Sequence, residues 1–272
     1  MPEPTANRGD ELARRYLEVE RLGGGAEGGT WSAREPGGAK VVLKPVGVAE
    51  LSAVRHAFTV LRGVASPHLP APRELWTAPS GTTWLVTDWI EGTPLALGPV
   101  PAVEALGDAL ACAHALAAIH RAGTHHGDVS LANAIRTPTH GCVLVDLAQL
   151  GRNGTGTPGF LAPEVLAGGG GPAADRFALA CLLCARLFGA VPWQRPEALL
   201  AVRDRDAVRR RLAELARDHE VGDELLDLLT RLLDPDPRKR GDDDDALSRR
   251  LLHLHAIAQA HSRAAPASFG TR

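Results

Sequence analysis

Lysine is scarce in this chain: of thirty basic residues only Lys40, Lys44 and Lys239 are lysines, the rest being arginine. A lysine therefore carries information here that an arginine does not. Cysteine is also sparse. The four present, Cys112, Cys142, Cys181 and Cys184, sit in apolar stretches, which argues against a disulfide framework and suits a reducing compartment. Cys181 and Cys184 form C-x-x-C, but within the helix-like run FALACLLCARLF they read as small buried thiols rather than a redox or metal pair. Excess charge of one sign is missing: thirty basic against thirty-two acidic residues leave a net charge of −2, without the broad basic footprint of a nucleic-acid binder. No apolar run reaches the ~18 residues of a membrane-spanning helix. The N-terminal MPEPTANRGDELARR lacks the apolar core of a secretory leader. These absences predict a cytoplasmic protein with neither a membrane nor a nucleic-acid partner.

What is present fits an ordinary globular chain. The 272 residues are 44% hydrophobic and 23% charged, enough for about 1.8 typical domains and for a sizeable core. From Tyr16, YLEVERL, TWSARE and KVVLK read as three β-like runs joined by a glycine cluster and an EPGGA turn. Apolar residues then recur at Val48, Leu51, Val54, Phe58 and Leu61, the spacing of one helix face. Two more β-like runs, RELWTA and TTWLVTDWI, follow. Past EGTPL the chain turns helical, over Val103 to Ala122, Pro172 to Leu187, Glu197 to Arg217, Glu224 to Leu233 and Asp243 to Ala260. The expected fold is α+β with two lobes: a small antiparallel sheet plus one helix (16–91), a larger helical lobe (92–262), and a cleft between them. Residues 1–15 and 263–272 read as tails.

Gly23, Gly25 and Gly28 form G-x-G-x-x-G between the first two strands, where the missing side chains let backbone approach a phosphate. The segment runs into a strand rather than a helix, which argues against a dinucleotide-binding turn. Lys44 ends the third strand, where an ammonium can reach phosphates beneath a glycine flap. The sharper signal is HGDVSLAN, His126 to Asn133, followed by the strand CVLVD ending at Asp146. Phosphoryl transfer needs a carboxylate that orients and deprotonates the accepting hydroxyl, and oxygen ligands for Mg²⁺ on nucleotide phosphates. Asp128 suits the first task; Asn133 and Asp146 suit the second.

On these residues the sequence resembles the protein kinase superfamily over about residues 16 to 260, in its serine/threonine branch of bacterial type. RLGGGAEGGTWSARE is similar to the glycine-rich loop, VVLK to the β3 lysine motif, HGDVSLAN to the catalytic loop and DLA to the DFG metal motif. GTPGFLAPEV resembles the end of an activation segment, the one motif that separates protein kinases from aminoglycoside-kinase-like phosphotransferases sharing H-G-D-x-x-x-x-N. The resemblance implies ATP and Mg²⁺, or Mn²⁺ in its place, as cofactors, and a protein substrate. It implies Thr87 as gatekeeper, the backbone of Asp88 and Ile90 as the adenine-binding hinge, and Thr30 and Val42 on the two faces of adenine. It further implies Thr157 as the substrate-loop threonine, Asp175 as the central-helix aspartate, and Arg240 as the partner of Glu164.

The pattern also has gaps. Ala57 stands where the family places the glutamate that holds the β3 lysine. Glu50, seven residues earlier on the same face, either replaces it after a helix shift or serves as a first-turn carboxylate. Val42 and Thr30 replace an alanine and a valine around the adenine. Glu27 sits at the flap tip, a repulsive neighbour for phosphate. Ser130 stands in for a lysine near the transferred phosphate, Gly127 for an arginine, and Leu147 for the DFG phenylalanine. Residues 146 to 164 contain only two hydroxyls, Thr155 and Thr157. With no arginine at 127 to receive a phosphate, no phosphorylation switch is expected in this segment. Three readings follow: a serine/threonine protein kinase, a pseudokinase acting as a nucleotide-binding or scaffolding module, and a kinase for a small-molecule alcohol. Asp242 to Asp245 read as a helix N-terminus favoured by the dipole rather than a cation site, and His125 as a support for the catalytic loop.

Overall fold

A computed structural model describes residues 6–23, 29–63 and 66–264. Helix α1 (Ala6–Ala13) precedes the strands β1 (Leu17–Gly23), β2 (Thr30–Arg34) and β3 (Lys40–Val46). Helix α2 (Leu51–Leu61) then leads to β4 (Pro72–Thr77) and β5 (Thr83–Asp88). The five strands form one antiparallel sheet in the order β1-β2-β3-β5-β4. Two-residue periodicity sorts β3: Val41 and Leu43 are buried with Trp31 and Trp84 beneath the sheet, while Val42 and Lys44 face the other way.

The second part opens with the short β6 (Thr93–Pro94), α3 (Ala102–Arg121), β7 (Ala134–Thr137) and β8 (Gly141–Leu144), the three strands pairing as β6-β7-β8. It continues through α4 (Pro163–Leu166), α5 (Pro172–Phe188), α6 (Pro196–Leu200), α7 (Arg205–Leu215), α8 (Asp223–Leu232) and α9 (Asp244–Ala264). Helices α3 and α5 form the core, α3 packing on α5, α9 and β8. By length and composition α3 passes for a membrane-spanning helix, contrary to the sequence expectation of no such run; yet 67% of its apolar window is buried inside the protein, as in a core helix. The thiols of Cys181 and Cys184 are buried, and burial pushes both up out of the reactive range.

Several expectations need correction. Residues 6–13 form a helix rather than a tail: Leu12 is fully buried beside Tyr16 and Trp31, and the Glu11 carboxylate accepts bonds from Ser80 N and Oγ, both at 3.0 Å. Val48 lies outside α2 and is 93% exposed; the buried face of that helix is Val54, Ala57 and Leu61. The expected helix 197–217 is two helices, because Asp204 caps α7 by accepting from Ala207 N at 2.8 Å. Asp244 is more than a dipole-favoured carboxylate. It accepts from His120 Nδ1 at 2.8 Å and from Arg176 Nε at 2.8 Å.

His120 lies between two carboxylates, Nε2 donating to Asp175 Oδ2 at 2.9 Å and Nδ1 to Asp244. Burial alone would lower its pKa, but the hydrogen bonds to Asp175 and Asp244 outweigh it and raise the value above 6.5. Burial would likewise raise both aspartates, and the His120 bonds turn that into a net lowering. The signs follow from linkage. The His120 contribution is complete below pH 6.5 and is lost as pH rises through its raised folded value. The aspartate contributions are complete above about pH 4 and are lost below it. Urea unfolding from pH 5 to pH 9 is therefore expected to show stability falling on the alkaline side, and His120→Gln to flatten that fall. An unchanged slope in the variant would show that His120 does not couple to folding.

Candidate active site

The cleft lies between the five-stranded sheet and the β7-β8 hairpin. Its inner cavity, about 310 Å³, is roofed by Leu22, Thr30, Val42 and Lys44, backed by Thr87, and floored by Asn133, Ile135 and Asp146. The strand register sets this lining: Val42 pairs with Thr87 and Lys44 with Leu85, so the cleft face of β3 meets the end of β5. Asp88 and Ile90 line the cavity at the crossover. The Asp88 amide is already spent on Ala71 O at 3.0 Å, so of this residue's backbone only the carbonyl is left for a ligand. Its carboxylate is held by Arg73, which also pairs with Glu35 at 3.0 Å.

Of the three flap glycines, Gly25 and Gly28 lie outside the described residues, as does Glu27. Gly23 ends β1, and a Cβ added there would meet nothing within 4 Å among the described residues. The glycine whose conformation is demanded is Gly29, which the G-x-G-x-x-G reading passes over. Its φ is +83°, and an added Cβ would stand 2.5 Å from Gly23 O.

The loop between α3 and β7 carries the carboxylate Asp128, and its geometry is set by hydrogen bonds to backbone. Asp175, buried on α5, accepts from His126 N at 2.7 Å and Gly127 N at 3.0 Å. The His126 ring spans the site. Its Nδ1 accepts from Asp128 N at 3.2 Å, which fixes the tautomer, and Nε2 donates to Val145 O at 2.9 Å. One buried ring thus ties the loop of Asp128 to the strand end of Asp146. Asp128 Oδ1 accepts from Thr157 N at 2.8 Å and Thr157 Oγ1 at 2.7 Å. Asn133 Nδ2 donates to Asp128 O at 2.8 Å and to Oδ2 at 2.9 Å. The asparagine nitrogen is committed, which leaves its Oδ1 for another partner.

Asp146 adopts φ +75°, in the left-handed region, a conformation a non-glycine residue keeps only where its surroundings enforce it. Its Oδ2 accepts from Lys44 Nζ, and its buried Oδ1 has no hydrogen-bond partner among the described residues. An orphaned carboxylate oxygen costs about 1–3 kcal/mol or more. A hard cation shared with Asn133 Oδ1 would relieve it, so these residues fit Mg²⁺ in donor chemistry.

Lys44 takes its partner from Asp146, not from α2. Ala57 is fully buried against Leu147 and Leu150, in the apolar cluster beneath α2. Glu50 does not substitute: it flanks the start of α2, packs its carboxylate over Gly47, and pairs with Arg152 Nε at 3.6 Å. Ser130 is buried, with Oγ unpartnered among the described residues, and lines neither cavity; being neutral, it gives the cleft no charge in place of a lysine. A second cavity, about 450 Å³, adjoins the first through Thr30, Lys44 and Ala148; its outer wall includes Asp128, Gln149, Arg152 and residues 155–158. His125 Nε2 donates to Arg152 O at 3.1 Å. Away from the cleft, Arg240 meets Glu164 through Nη1 at 2.5 Å and Nη2 at 2.9 Å.

The four chemical residues, Lys44, Asp128, Asn133 and Asp146, are thus brought to one cleft, and Thr157 to Asp128; Asp175, Glu164 and Arg240 lie behind it as supports. Sequence reasoning missed Leu22 and Ile135 as lining residues, which only strand register assigns. It also missed the partners of His120, Asp175 and Asp244, 55 and 124 positions away, and the partner of Glu50, Arg152, 102 positions away. Residues 16–252 match the family model described as protein kinase domain. A probable serine/threonine-protein kinase zyg-1 of Caenorhabditis briggsae is 28% identical over 189 residues, covering 62% of this chain and 26% of that protein.

Proposed function

The chain belongs to the protein kinase family, and on that premise we propose that it transfers the γ-phosphate of Mg-ATP to serine and threonine hydroxyls of a protein. The observation that carries this reading is the shared cleft of Lys44, Asp128, Asn133 and Asp146, with the unpartnered Asp146 Oδ1 buried at it. Adenine is expected between Val42 and the floor residues, against the Asp88 carbonyl and the Ile90 amide. Asn133 Oδ1 and Asp146 would hold the divalent ion, which when bound supplies neutralisation of charge on the phosphate oxygens. Lys44, whose ammonium already faces Asp146, reaches the phosphates from the roof.

Asp128 accepts the proton of the incoming hydroxyl on Oδ2, where a lone pair remains beside the Asn133 bond. Thr157, bonded twice to Oδ1, fixes the rotamer of that carboxylate and places the substrate loop against it. The serine/threonine preference rests on this threonine, on GTPGFLAPEV and on the likeness to the probable serine/threonine-protein kinase zyg-1.

A second reading has its own observation. Lys44 is held by a metal-site carboxylate while α2 offers a buried alanine, an arrangement that suits nucleotide binding without turnover. Incubating the purified protein with γ-labelled Mg-ATP and a generic hydroxyl-bearing protein separates the two. Label on serine or threonine is the expected result. Mg-ATP binding with no transfer would establish the pseudokinase, and transfer to a small alcohol alone would redirect the assignment to a metabolite kinase.

A further inference from the structure

Two charges that a kinase uses to couple its parts are missing from this chain, at positions 57 and 127, and the structure fills both gaps with one turn. Residues 149–152 follow the metal-site carboxylate and lie between α2 and the catalytic loop. On the α2 side, Arg152 Nε pairs with Glu50 Oε1 at 3.6 Å; the two side chains are only 24% and 19% exposed. There too, a Cβ added to Gly151 (φ +72°) would stand 3.4 Å from Ala53 Cβ and 3.1 Å from Thr124 Oγ1. This glycine packs α2 directly onto the start of the catalytic loop. On the loop side, Gly151 N donates to His125 O at 2.8 Å, and His125 Nε2 donates back to Arg152 O at 3.1 Å.

Gly127 completes the fit. Its φ is +83°, and a Cβ there would lie 3.0 Å from both Gln149 O and Arg152 O. A side chain at 127 would therefore push the turn off the loop. The Arg152 guanidinium is braced within its own turn, Nη1 donating to Gln149 Oε1 at 3.1 Å. Its surroundings carry no requirement for a phosphate: the cation already has a carboxylate.

We propose that the turn 149–152 is a built-in clamp, in which Arg152, paired with Glu50, positions α2 over the catalytic loop, and Gly127 is the glycine that lets it seat. Arg152 and Glu50 are positioning residues. They act through Asp128 and Lys44, whose relative placement depends on how α2 and the loop are joined. The clamp rests on the kinase reading for its catalytic consequence but not for its structural one.

The test uses the whole chain with Glu50→Gln, Arg152→Gln, the double variant, Arg152→Lys and Gly127→Ala. Hydrogen exchange is followed over residues 51–61 and 124–128, and label transfer from Mg-ATP is measured alongside. Each single glutamine variant is expected to speed exchange in both segments. Each is also expected to lower kcat about ten- to a hundredfold, as misplacement remote from the chemistry does, with KM for ATP nearly unchanged. The double variant should be no worse than either single, and Arg152→Lys should recover part of the loss. Gly127→Ala should speed exchange in the same segments. Additive losses in the double variant, or exchange unchanged in the singles, would overturn the clamp. If the wild-type chain transfers no phosphate, the kinase reading fails while exchange still decides the clamp.

Discussion

Asp128→Asn is expected to lower phosphate transfer about a thousandfold, within the range of ~10²–10⁴ for loss of a general base, while Mg-ATP binding persists. The carboxylate has both oxygens engaged: Oδ1 by two donors from Thr157, Oδ2 by Asn133 Nδ2. An asparagine amide offers one oxygen and one NH₂. If its oxygen keeps Thr157, its NH₂ faces the Asn133 NH₂, donor against donor; if turned, its NH₂ faces the Thr157 amide. Either way one part-buried donor loses its partner, at up to about 1–3 kcal/mol, and no basic oxygen remains to take the hydroxyl proton. Asp128→Ala removes the base and leaves the Thr157 amide, the Thr157 hydroxyl and one Asn133 Nδ2 hydrogen without their acceptor, so it should lose activity similarly and unfold at no higher a temperature than the asparagine variant. Initial transfer rates, nucleotide affinity and thermal unfolding on the same preparations check all three statements. Transfer by Asp128→Asn within threefold of the wild-type rate would remove Asp128 from the role of base.

The sequence is most legible where chemistry fixes spacing. HGDVSLAN and CVLVD announce Asp128, Asn133 and Asp146 because the proposed base and metal ligands would have to sit on one short loop and the strand beside it, and the structure brings these three residues to one cleft with Lys44. It is least legible where a residue's partner is distant. Nothing in the spacing of Glu50 says whether its carboxylate reaches Lys44 or Arg152, since both outcomes fit one helix start. The choice is made by the Gly151 and Gly127 turns, whose close packing is a property of backbone conformation. The N-terminal helix was hidden for the same reason. ELARR carries one strongly apolar residue, Leu12, and its burial depends on Trp31 and Trp84 beneath a sheet that forms later in the chain. The charge run 242–245 likewise conceals a specific residue: Asp244 differs from its neighbours only because His120 and Arg176 face it. Periodicity finds faces; it does not find partners.

The largest expected loss of stability comes from Glu164→Ala. Arg240 is among the most deeply buried side chains, with none of its surface exposed, and lies 4.9 Å from the centre of the Phe177 ring. Its Nε donates to Asp234 O at 2.8 Å and Nη1 to Ala173 O at 3.1 Å, so the guanidinium is fixed by backbone carbonyls from two elements. Its charge, however, is balanced by Glu164 alone among these contacts. Removing that carboxylate leaves a buried cation uncompensated, which costs about 3–5 kcal/mol; the 20% exposure of Glu164 puts the cost toward the lower figure. A Tm lower by on the order of 10 °C is expected for a chain of this size. Glu164→Gln keeps the shape and one acceptor and should lose less. Arg240→Met removes the charge together with its desolvation cost, so the double variant with Glu164→Ala should be more stable than Glu164→Ala alone. Equal melting of the wild-type chain and Glu164→Ala would show that Arg240 finds its balance elsewhere. The consequence reaches function through α4, which carries Glu164 a few residues beyond Thr157. When the pair breaks, the Thr157 segment, proposed above as the substrate loop, loses its anchor on the helical lobe, and transfer to a protein is expected to fall before Mg-ATP binding does.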